Sequence, residues 1–404
     1  MKRLMLACGF AAFFVVAVQI SSVFGNGMPL SGQDSGSQLN REFSVGPGQE
    51  LTFDLQTGGG ISISGWDSNV VSVKATLGGR DGSKCQVDMN QTSTGVEVKS
   101  NYIGSDRNYS TNVRLEVQVP KQFNVSINSS GGGISIDNLE GTVKGTTGGG
   151  GIRISNSKGN VNLSTGGGGI SVRNSALDGT VSTGGGHIVI DGNTGNLKGS
   201  TGGGKVEYKN SSGSGSGSSS DEQTGQGTGT SGSVTRVNTG GGDVHLKDVP
   251  NGAQINTGGG DITVASGRGR IHAATGGGNI EIGPVDGSID AMTGGGHITA
   301  TITDSAAGVS HNVRALTGAG DVTITLPPGI SAQFDIKLAY TQNSKQNYQI
   351  ISDFGIAQNT TDTWSTAEGS PRKYIYGTGT IGSGDNKIVI RNVNGNVYVR
   401  RGAQ

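Results

Sequence analysis

Four polar residues recur every 18 positions in the second half of the chain, where they could bind a cation. Asp243, Asp261, Asn279 and His297 each stand directly before an aliphatic residue. If residues one repeat apart stack in neighbouring strands, the two carboxylates lie about 4.8 Å apart. Carboxylate oxygens are the ligands that Ca²⁺ prefers. Asp243 and Asp261 are therefore the candidate metal ligands of this sequence, although we favour a solvated polar column at these positions.

The same position changes character along the chain. It is Gly133, Gly151, Gly169, His187 and Lys205 upstream of these four residues, and Asp321 downstream of them. Calcium-binding β-rolls have coils of the same length, but they build each coil from two nonapeptides with a regular aspartate. Here the two halves of a repeat differ and the regular aspartate is missing. The change from glycine to polar residues marks this position as the most informative of the repeat.

The histidines show no metal-binding spacing. The five are His187, His245, His272, His297 and His311. His187 and His297 share one repeat position, but five coils would separate them by about 24 Å, too far to share an ion. The sequence therefore predicts no metal site beyond the two candidate carboxylates, no cofactor and no catalytic residue.

A Thr-Gly-Gly-Gly run precedes most of the aliphatic pairs. A phosphate-binding loop needs a following helix and a lysine, and these runs have neither. The first aliphatic residue after each run steps by 18, apart from two places where an insertion lengthens the step; the positions are Ile134, Ile152, Ile170, Ile188, Val206, Val244, Ile262, Ile280, Ile298 and Val322. A fixed short period with occasional insertions is typical of stacked repeats.

The repeat predicts an all-β fold, a single-stranded parallel β-solenoid (β-helix) with 18-residue coils. Each repeat has two strand-like pieces and only about three inward aliphatic side chains, so a coil is stable only when stacked on its neighbours. An antiparallel meander is the alternative, but it would place equivalent residues two strands apart. The glycines are expected to form tight corners and to avoid clashes between coils. The threonine hydroxyls are expected to hydrogen-bond along their column.

Composition supports a thin repeated core. Glycine makes up 76 of 404 residues and aromatic residues only 5%, too few large apolar side chains for a thick globular core. Lysine plus arginine and aspartate plus glutamate balance at 30 each. This balance argues against a broad nucleic-acid-binding or membrane-binding surface.

The chain divides into five segments. Residues 1–25 resemble a secretory signal peptide, with Lys2 and Arg3 before the apolar stretch Leu4–Ile20; an uncleaved anchor is the alternative, and the only membrane contact we expect. The others are a flexible leader at 26–42, an N-terminal β cap at 43–128, solenoid repeats at 129–326 with a disordered Gly/Ser insertion at 211–232, and a C-terminal β cap at 327–404. Removal of the signal leaves Cys85 as the one cysteine, so no internal disulfide is expected.

Short motifs flank the repeats. They are Gly65-Trp66-Asp67, Val119-Pro120-Lys121, the exit Leu326-Pro327-Pro328 and the closing Gly395-Asn396-Val397-Tyr398-Val399. With the repeated Gly-Gly-x-Ile-x-Ile, they resemble the bacterial putative-adhesin family, a domain of unknown function with glycine-rich β-solenoid coils. The resemblance covers about residues 45–404. It implies export and association with the surface or envelope, and it supplies no catalytic residues.

The sequence therefore predicts an exported, non-catalytic β-solenoid, an adhesin-like binding or structural protein of the bacterial envelope. It would be secreted, periplasmic or envelope-associated, and its partner would be an envelope protein or a glycan rather than nucleic acid. One alternative is a β-helix polysaccharide-active enzyme, which would need a groove lined by carboxylates and aromatic residues. Another is a calcium-binding or ice-binding solenoid; ice binding uses paired ranks of threonine, and this chain has one column.

Overall fold

The computed structural model describes residues 37–106, 108–209, 211, 234–303, 308–344, 347–367 and 369–403. The predicted signal peptide at 1–25, residues 26–36 of the leader and all of the 211–232 insertion except Ser211 lie outside the described residues. In the described part there is no α-helix, and one 3₁₀ turn spans Gly82–Lys84. The prediction of an all-β chain is confirmed there. No helix in these residues has the length and apolar character needed to cross a membrane.

The N-terminal flank consists of seven strands. They are β1 (Ser37–Ser44), β2 (Glu50–Leu55), β3 (Gly60–Trp66), β4 (Val70–Gly78), β5 (Cys85–Thr92), β6 (Gly95–Tyr102) and β7 (Asn112–Pro120). Strand β1 starts within the segment predicted as a flexible leader and pairs antiparallel with β4 from Ser37 onward. The first residues of β1 thus lie within the segment predicted as a leader, where they pair with β4.

The repeat region supplies the strands that carry the 18-residue period. They are β8 (Asn124–Ser129), β9 (Ile134–Asp137), β10 (Glu140–Thr147), β11 (Ile152–Ser155), β12 (Lys158–Thr165), β13 (Ile170–Arg173), β14 (Ala176–Thr183), β15 (Ile188–Asp191), β16 (Leu197–Thr201), β17 (Val206–Lys209), β18 (Thr235–Thr239), β19 (Val244–Leu246), β20 (Ala253–Thr257), β21 (Ile262–Val264), β22 (Gly267–Thr275), β23 (Ile280–Thr293), β24 (Ile298–Ile302), β25 (Val313–Thr317) and β26 (Val322–Leu326).

The C-terminal flank follows Pro327-Pro328, which cannot donate hydrogen bonds to a ladder. Its strands are β27 (Ala332–Thr341), β28 (Ile350–Ser352), β29 (Ala357–Thr360), β30 (Arg372–Ile381), β31 (Asn386–Val393) and β32 (Val397–Arg401). The flank strands pair both parallel and antiparallel, as β27 does with β31 and β30. The sheet is therefore mixed rather than wholly parallel.

Successive repeats pair in parallel, each offset from the last by one repeat. The strands that follow the glycine runs form a first ladder, in which Ile152 pairs with Ile134 and Ile170. The strands that end at the threonines form a second ladder, in which Thr165 pairs with Thr147 and Thr183. Equivalent residues thus lie directly beside one another, which an antiparallel meander would not produce. We call each pair of first-ladder and second-ladder strands a layer.

Both flanks add a layer to the two ladders. At the N-terminal end Ile61 pairs with Ile134 in the first ladder, and Leu51 with Val125 in the second. At the C-terminal end Val397 pairs with Val322, and Ile388 with Val313. The core therefore runs without interruption from the flanks through the repeats, as one cluster of buried aliphatic side chains.

The threonine hydroxyls bond to the main chain of the glycine runs. Thr275 is buried and donates to the Gly260 carbonyl of the preceding layer at 2.8 Å. The same hydroxyl accepts the Gly278 N–H at 3.2 Å, and Thr183 repeats the pattern with Gly168 and Gly186. The bonds do run along the stack, as expected, but the partner is a glycine carbonyl rather than another hydroxyl. Thr183 and Thr275 therefore each satisfy two main-chain groups of the glycine runs.

Within a glycine run the first and third glycines are sterically required and the middle one is not. A Cβ atom at Gly186 would lie 2.1 Å from the Gly168 oxygen, whereas one at Gly185 would meet nothing within 4 Å. The backbone at Gly185 and Gly186 does not have the positive φ expected of a tight corner. Close stacking of layers, rather than left-handed backbone, explains these glycines. Ala319 occupies the middle position of the last run, as this reasoning allows.

Tyr208 is the one aromatic residue of the repeat region, and it lies in the core. Its hydroxyl accepts the Gly199 N–H at 2.8 Å and donates to the Leu197 carbonyl at 3.1 Å. A side chain at Gly199 would crowd the phenol, so the glycine leaves room for it. Burial raises the pKa of Tyr208 well above its usual range, so the phenol stays protonated and keeps both bonds.

Candidate functional site

The position before each first aliphatic residue forms a straight column, which we call the variable column. Its first half is Gly133, Gly151, Gly169 and His187, its second half is Asp243, Asp261, Asn279, His297 and Asp321, and Lys205 lies between them. The first ladder places these residues in register, one per layer. Asp243, Asp261, Asn279 and His297 are all exposed. The predicted column therefore exists, with the predicted change in composition.

In the second half each side chain accepts the main-chain N–H of the next layer. Asp243 Oδ1 accepts from Asp261 N at 2.9 Å, and Asp261 Oδ1 accepts from Asn279 N at 2.6 Å. Asn279 Oδ1 continues to His297 N at 2.9 Å, and His297 Nδ1 to Asp321 N at 2.8 Å. The polar residues thus form a chain of hydrogen bonds from layer to layer. These main-chain N–H groups do not donate to a neighbouring strand, so the side chains of the column supply their acceptors.

This arrangement gives Asp243 and Asp261 a role without a metal ion. One oxygen of each carboxylate is already an acceptor of a main-chain N–H. Among the described residues, no group of three or more His, Cys, Asp or Glu side chains is arranged to hold a metal ion. A Ca²⁺ ion takes six to eight oxygen ligands. The candidate calcium site stays a prediction, with only two carboxylates to support it.

The histidines take separate structural positions. His187 Nδ1 accepts the Lys205 N–H at 2.9 Å, as His297 does for Asp321. His311 is buried and its Nε2 lies 3.2 Å from Asp286 Oδ1. The pairing of His311 with Asp286 was not evident from the sequence, because the two residues are far apart along the chain and an insertion lies between them.

The glycines of the first half, Gly133, Gly151 and Gly169, have no side chain to accept the same N–H groups. Within the described residues, the N–H groups of Gly151, Gly169 and His187 donate no main-chain hydrogen bond. The layers around these residues have the same register as the layers of the second half. These N–H groups are therefore left to solvent or to a ligand.

An open trough of about 770 Å³ lies over this first half. Its floor includes Gly133, Gly151 and Gly169, where no side chain fills the space. Hydroxyls line it at Ser62, Ser135 and Ser171, and charged or titratable groups at Arg114, Glu116, Arg153 and His187. The polar part of the lining thus includes main-chain N–H groups, two guanidinium groups, and hydroxyls that can donate or accept. Such a surface suits a ligand rich in acceptor oxygens.

Two further sets of residues lie outside the column. Cys85 is buried, and burial raises the pKa of its thiol, which keeps the less reactive protonated form. Buried Ser157 and Ser175 were missed by the sequence reasoning. Ser157 Oγ accepts the Leu139 N–H at 3.2 Å and Ser175 Oγ accepts the Ser157 N–H at 3.3 Å. Their spacing of one repeat is the signal that could have identified them.

Comparison with known proteins gives distant structural matches only. No family model matches the chain, and no curated protein does. A putative adhesin from Parabacteroides distasonis is 14% identical, with 66% of this chain and 95% of that chain aligned at a TM-score of 0.32. A putative adhesin from Parabacteroides merdae is 11% identical, with coverages of 72% and 97% and a TM-score of 0.29. A putative cell adhesion protein from Clostridium sporogenes is 11% identical, with coverages of 91% and 100% and a TM-score of 0.19. At these scores the alignments assign neither a fold nor a function to this chain, and the family resemblance stays a prediction from the sequence.

Proposed function

We propose that this chain is an exported, non-catalytic binding protein of the bacterial envelope, adhesin-like in role, and that its two ladders are faces of a parallel β-solenoid. In this proposal residues 1–25 direct export, the repeats at 129–326 form the solenoid, and the flanks close its ends. The trough over Gly133, Gly151 and Gly169 is the observation that carries the proposal. It is the place where the repeat omits the side chains that close the same surface further along.

The ligand that best fits the trough is an extended glycan. Unpaired N–H groups recur there once per layer, at a spacing of about 4.8 Å. Hydroxyl and carboxylate oxygens of a polysaccharide recur along an extended chain and could accept from several layers at once. Arg114 and Arg153 add donors with a fixed planar geometry that suits carboxylate groups. An acidic glycan is therefore favoured over a neutral one.

The lining of the trough argues against glycan hydrolysis. Canonical glycosidases use a pair of carboxyl groups that flank the scissile bond. Glu116 is the one carboxylate among the described residues that line the trough. A single carboxylate near two arginines supports binding rather than general acid and base catalysis.

A glycan-binding assay tests the proposal. The purified chain should retain acidic polysaccharides, and the Gly151→Asn variant should lose at least most of that retention. The new amide copies Asn279, would accept the Gly169 N–H and would fill the middle of the trough. Asp261→Gly is the matched control, since it alters the second half of the same column. Equal retention by the wild type and Gly151→Asn would contradict a role for the trough, and release of shorter glycans on incubation would indicate an enzyme.

Export is tested separately. Fractionation of cells that express the full chain should place it outside the cytoplasm, and a chain without residues 1–25 should stay inside. Cytoplasmic location of the full chain would exclude an envelope role, whatever its glycan affinity.

A further inference from the structure

One outward row of the second ladder turns from polar to apolar near the C-terminal flank. Its members face the same way in successive layers, as the register of the ladder shows. The row reads Thr146, Ser164, Ser182, Ser200, Asn238 and Asn256, and then Ala274, Met292 and Leu316. A solvated strand face has no need of three successive apolar side chains, so the change calls for an explanation.

The apolar part of the row is the floor of a groove of about 650 Å³. Ala339 and Val393 of the C-terminal flank add apolar surface, and Lys337 and Arg391 add cationic groups. Main-chain pairing of β27 with β31 brings Lys337 beside Arg391, in continuation of the row after Leu316. The groove therefore has an apolar floor that leads to a basic end.

The charged side chains that line the groove are of one sign. Lys337 and Arg391 are both cationic, and no carboxylate is among the described residues of the lining. The Lys337 ammonium lies 4.6 Å from the centre of the Tyr374 ring. Arg391 also contacts the Asp335 carboxylate at 2.5 Å, but Asp335 is not part of the lining. An anionic ligand group at this end of the groove would lie beside two cationic side chains.

The dimensions favour a small ligand over a protein partner. Stable protein interfaces bury about 1,200–2,000 Å² in total, far more than three side chains of floor provide. Pockets for small molecules span about 300–1,000 Å³, are mostly apolar and carry a few placed polar groups. An alkyl chain is narrow enough to lie along the floor of the groove across successive layers.

We propose that this groove binds a single-chain anionic lipid. The alkyl chain lies on Ala274, Met292 and Leu316, and the anionic group lies beside Lys337 and Arg391. This site is on the second ladder and involves none of the residues that line the glycan trough.

Titration calorimetry with lysophosphatidylglycerol, below its critical micelle concentration, tests the proposal on the full chain. The double variant Met292→Asn, Leu316→Asn restores the asparagine found at the same position in Asn238 and Asn256. We expect it to weaken binding at least tenfold without a change in melting temperature. The control Ser182→Asn, Ser200→Asn makes the same kind of change on the same row, outside the groove, and should bind as the wild type does.

Two further measurements separate the parts of the proposal. Ala274→Phe should block the floor and also weaken binding tenfold, and it decides the matter if the double variant does not fold. Lysophosphatidylcholine of equal chain length should bind more weakly than lysophosphatidylglycerol, because its head group carries a compensating positive charge. No binding by the wild type, or unchanged affinity in both floor variants, would overturn the site. Equal affinity for the two lipids would overturn the anionic preference.

Discussion

The two halves of the variable column are built on the same layers but differ in how they satisfy one main-chain N–H per layer. In the second half Asp243, Asp261 and Asn279 each accept the N–H of the following layer. In the first half glycine leaves that N–H without a protein acceptor among the described residues, and an open trough lies above it. The comparison shows that the polar residues close a surface and that the glycines leave it open. The change from glycine to polar residues along the column, which suggests a cation site, thus also marks where the open trough ends.

The largest expected effect on stability comes from the glycine runs, which both halves share. Gly186→Ala and Gly278→Ala each place a Cβ atom 2.1 Å from a glycine oxygen of the preceding layer. We expect each to lower the free energy of unfolding by about 3 kcal/mol, because the layers must separate locally. Chemical denaturation measures the change.

The controls are Gly185→Ala and Gly277→Ala, where a Cβ atom meets nothing within 4 Å. These should change stability by less than about 0.5 kcal/mol. A similar loss at the middle and third glycines would show that close stacking is not the reason for the run.

The threonines give the next largest effect, and it should be equal in both halves. Thr183→Val and Thr275→Val keep the shape of the side chain but leave a glycine carbonyl and a glycine N–H without their partner. Each loss should be about 1–3 kcal/mol. Thr275→Ser keeps the hydroxyl and should lose less. If valine proves neutral at either site, those hydroxyl bonds do not stabilise the layers.

A third prediction concerns the layer between the two halves. Tyr208→Phe removes the partner of the Gly199 N–H and of the Leu197 carbonyl, both of which face the core. The expected cost is about 1–2 kcal/mol in the free energy of unfolding. The ultraviolet absorbance of phenolate in the wild type should show Tyr208 as the tyrosine that resists ionisation at high pH, since burial raises its pKa. Ionisation of every tyrosine at its usual pH, before unfolding, would place this phenol at the surface.

The variable column itself gives a smaller change in stability and the sharpest contrast between halves. Asp261→Ala should cost about 1 kcal/mol, since the exposed Asn279 N–H loses its acceptor. Gly151→Asn should cost less than this, because the acceptor that it supplies to Gly169 offsets the 3.1 Å approach of its Cβ atom to the Gly169 oxygen. Thermal denaturation compares the two variants directly, and a larger loss in Gly151→Asn than in Asp261→Ala would contradict the acceptor role of the column.

Calcium should have less effect still. Millimolar Ca²⁺ should leave the melting temperature of the wild type unchanged, because each carboxylate of the column already accepts a main-chain N–H. A rise in melting temperature that Asp261→Asn abolishes would instead establish a site at Asp243 and Asp261.

The sequence was sufficient for the repeat, the strand pairs and the buried aliphatic residues, because the fixed period puts like residues side by side. It could not identify the hydrogen-bond partners of Thr275, because every residue has a main-chain carbonyl whatever its type. The extra layers in the flanks were also missed: Ile61 pairs with Ile134 and Val322 with Val397, at separations that are not whole multiples of the repeat length. The hydrogen-bonding role of Asp243 and Asp261 required the register, which places each side chain beside the next N–H.

Strand pairing joins the two parts of the chain that precede and follow residues 210–233. Strand β16 pairs with β18 and β17 with β19 in the same register as every other layer, although the chain between Lys209 and Val234 is much longer than in other repeats. Main-chain hydrogen bonds on both ladders, and the packed core beneath them, thus join the two sides at this point. A protease cut in that segment would therefore leave two fragments held together by strand pairing and by the shared core.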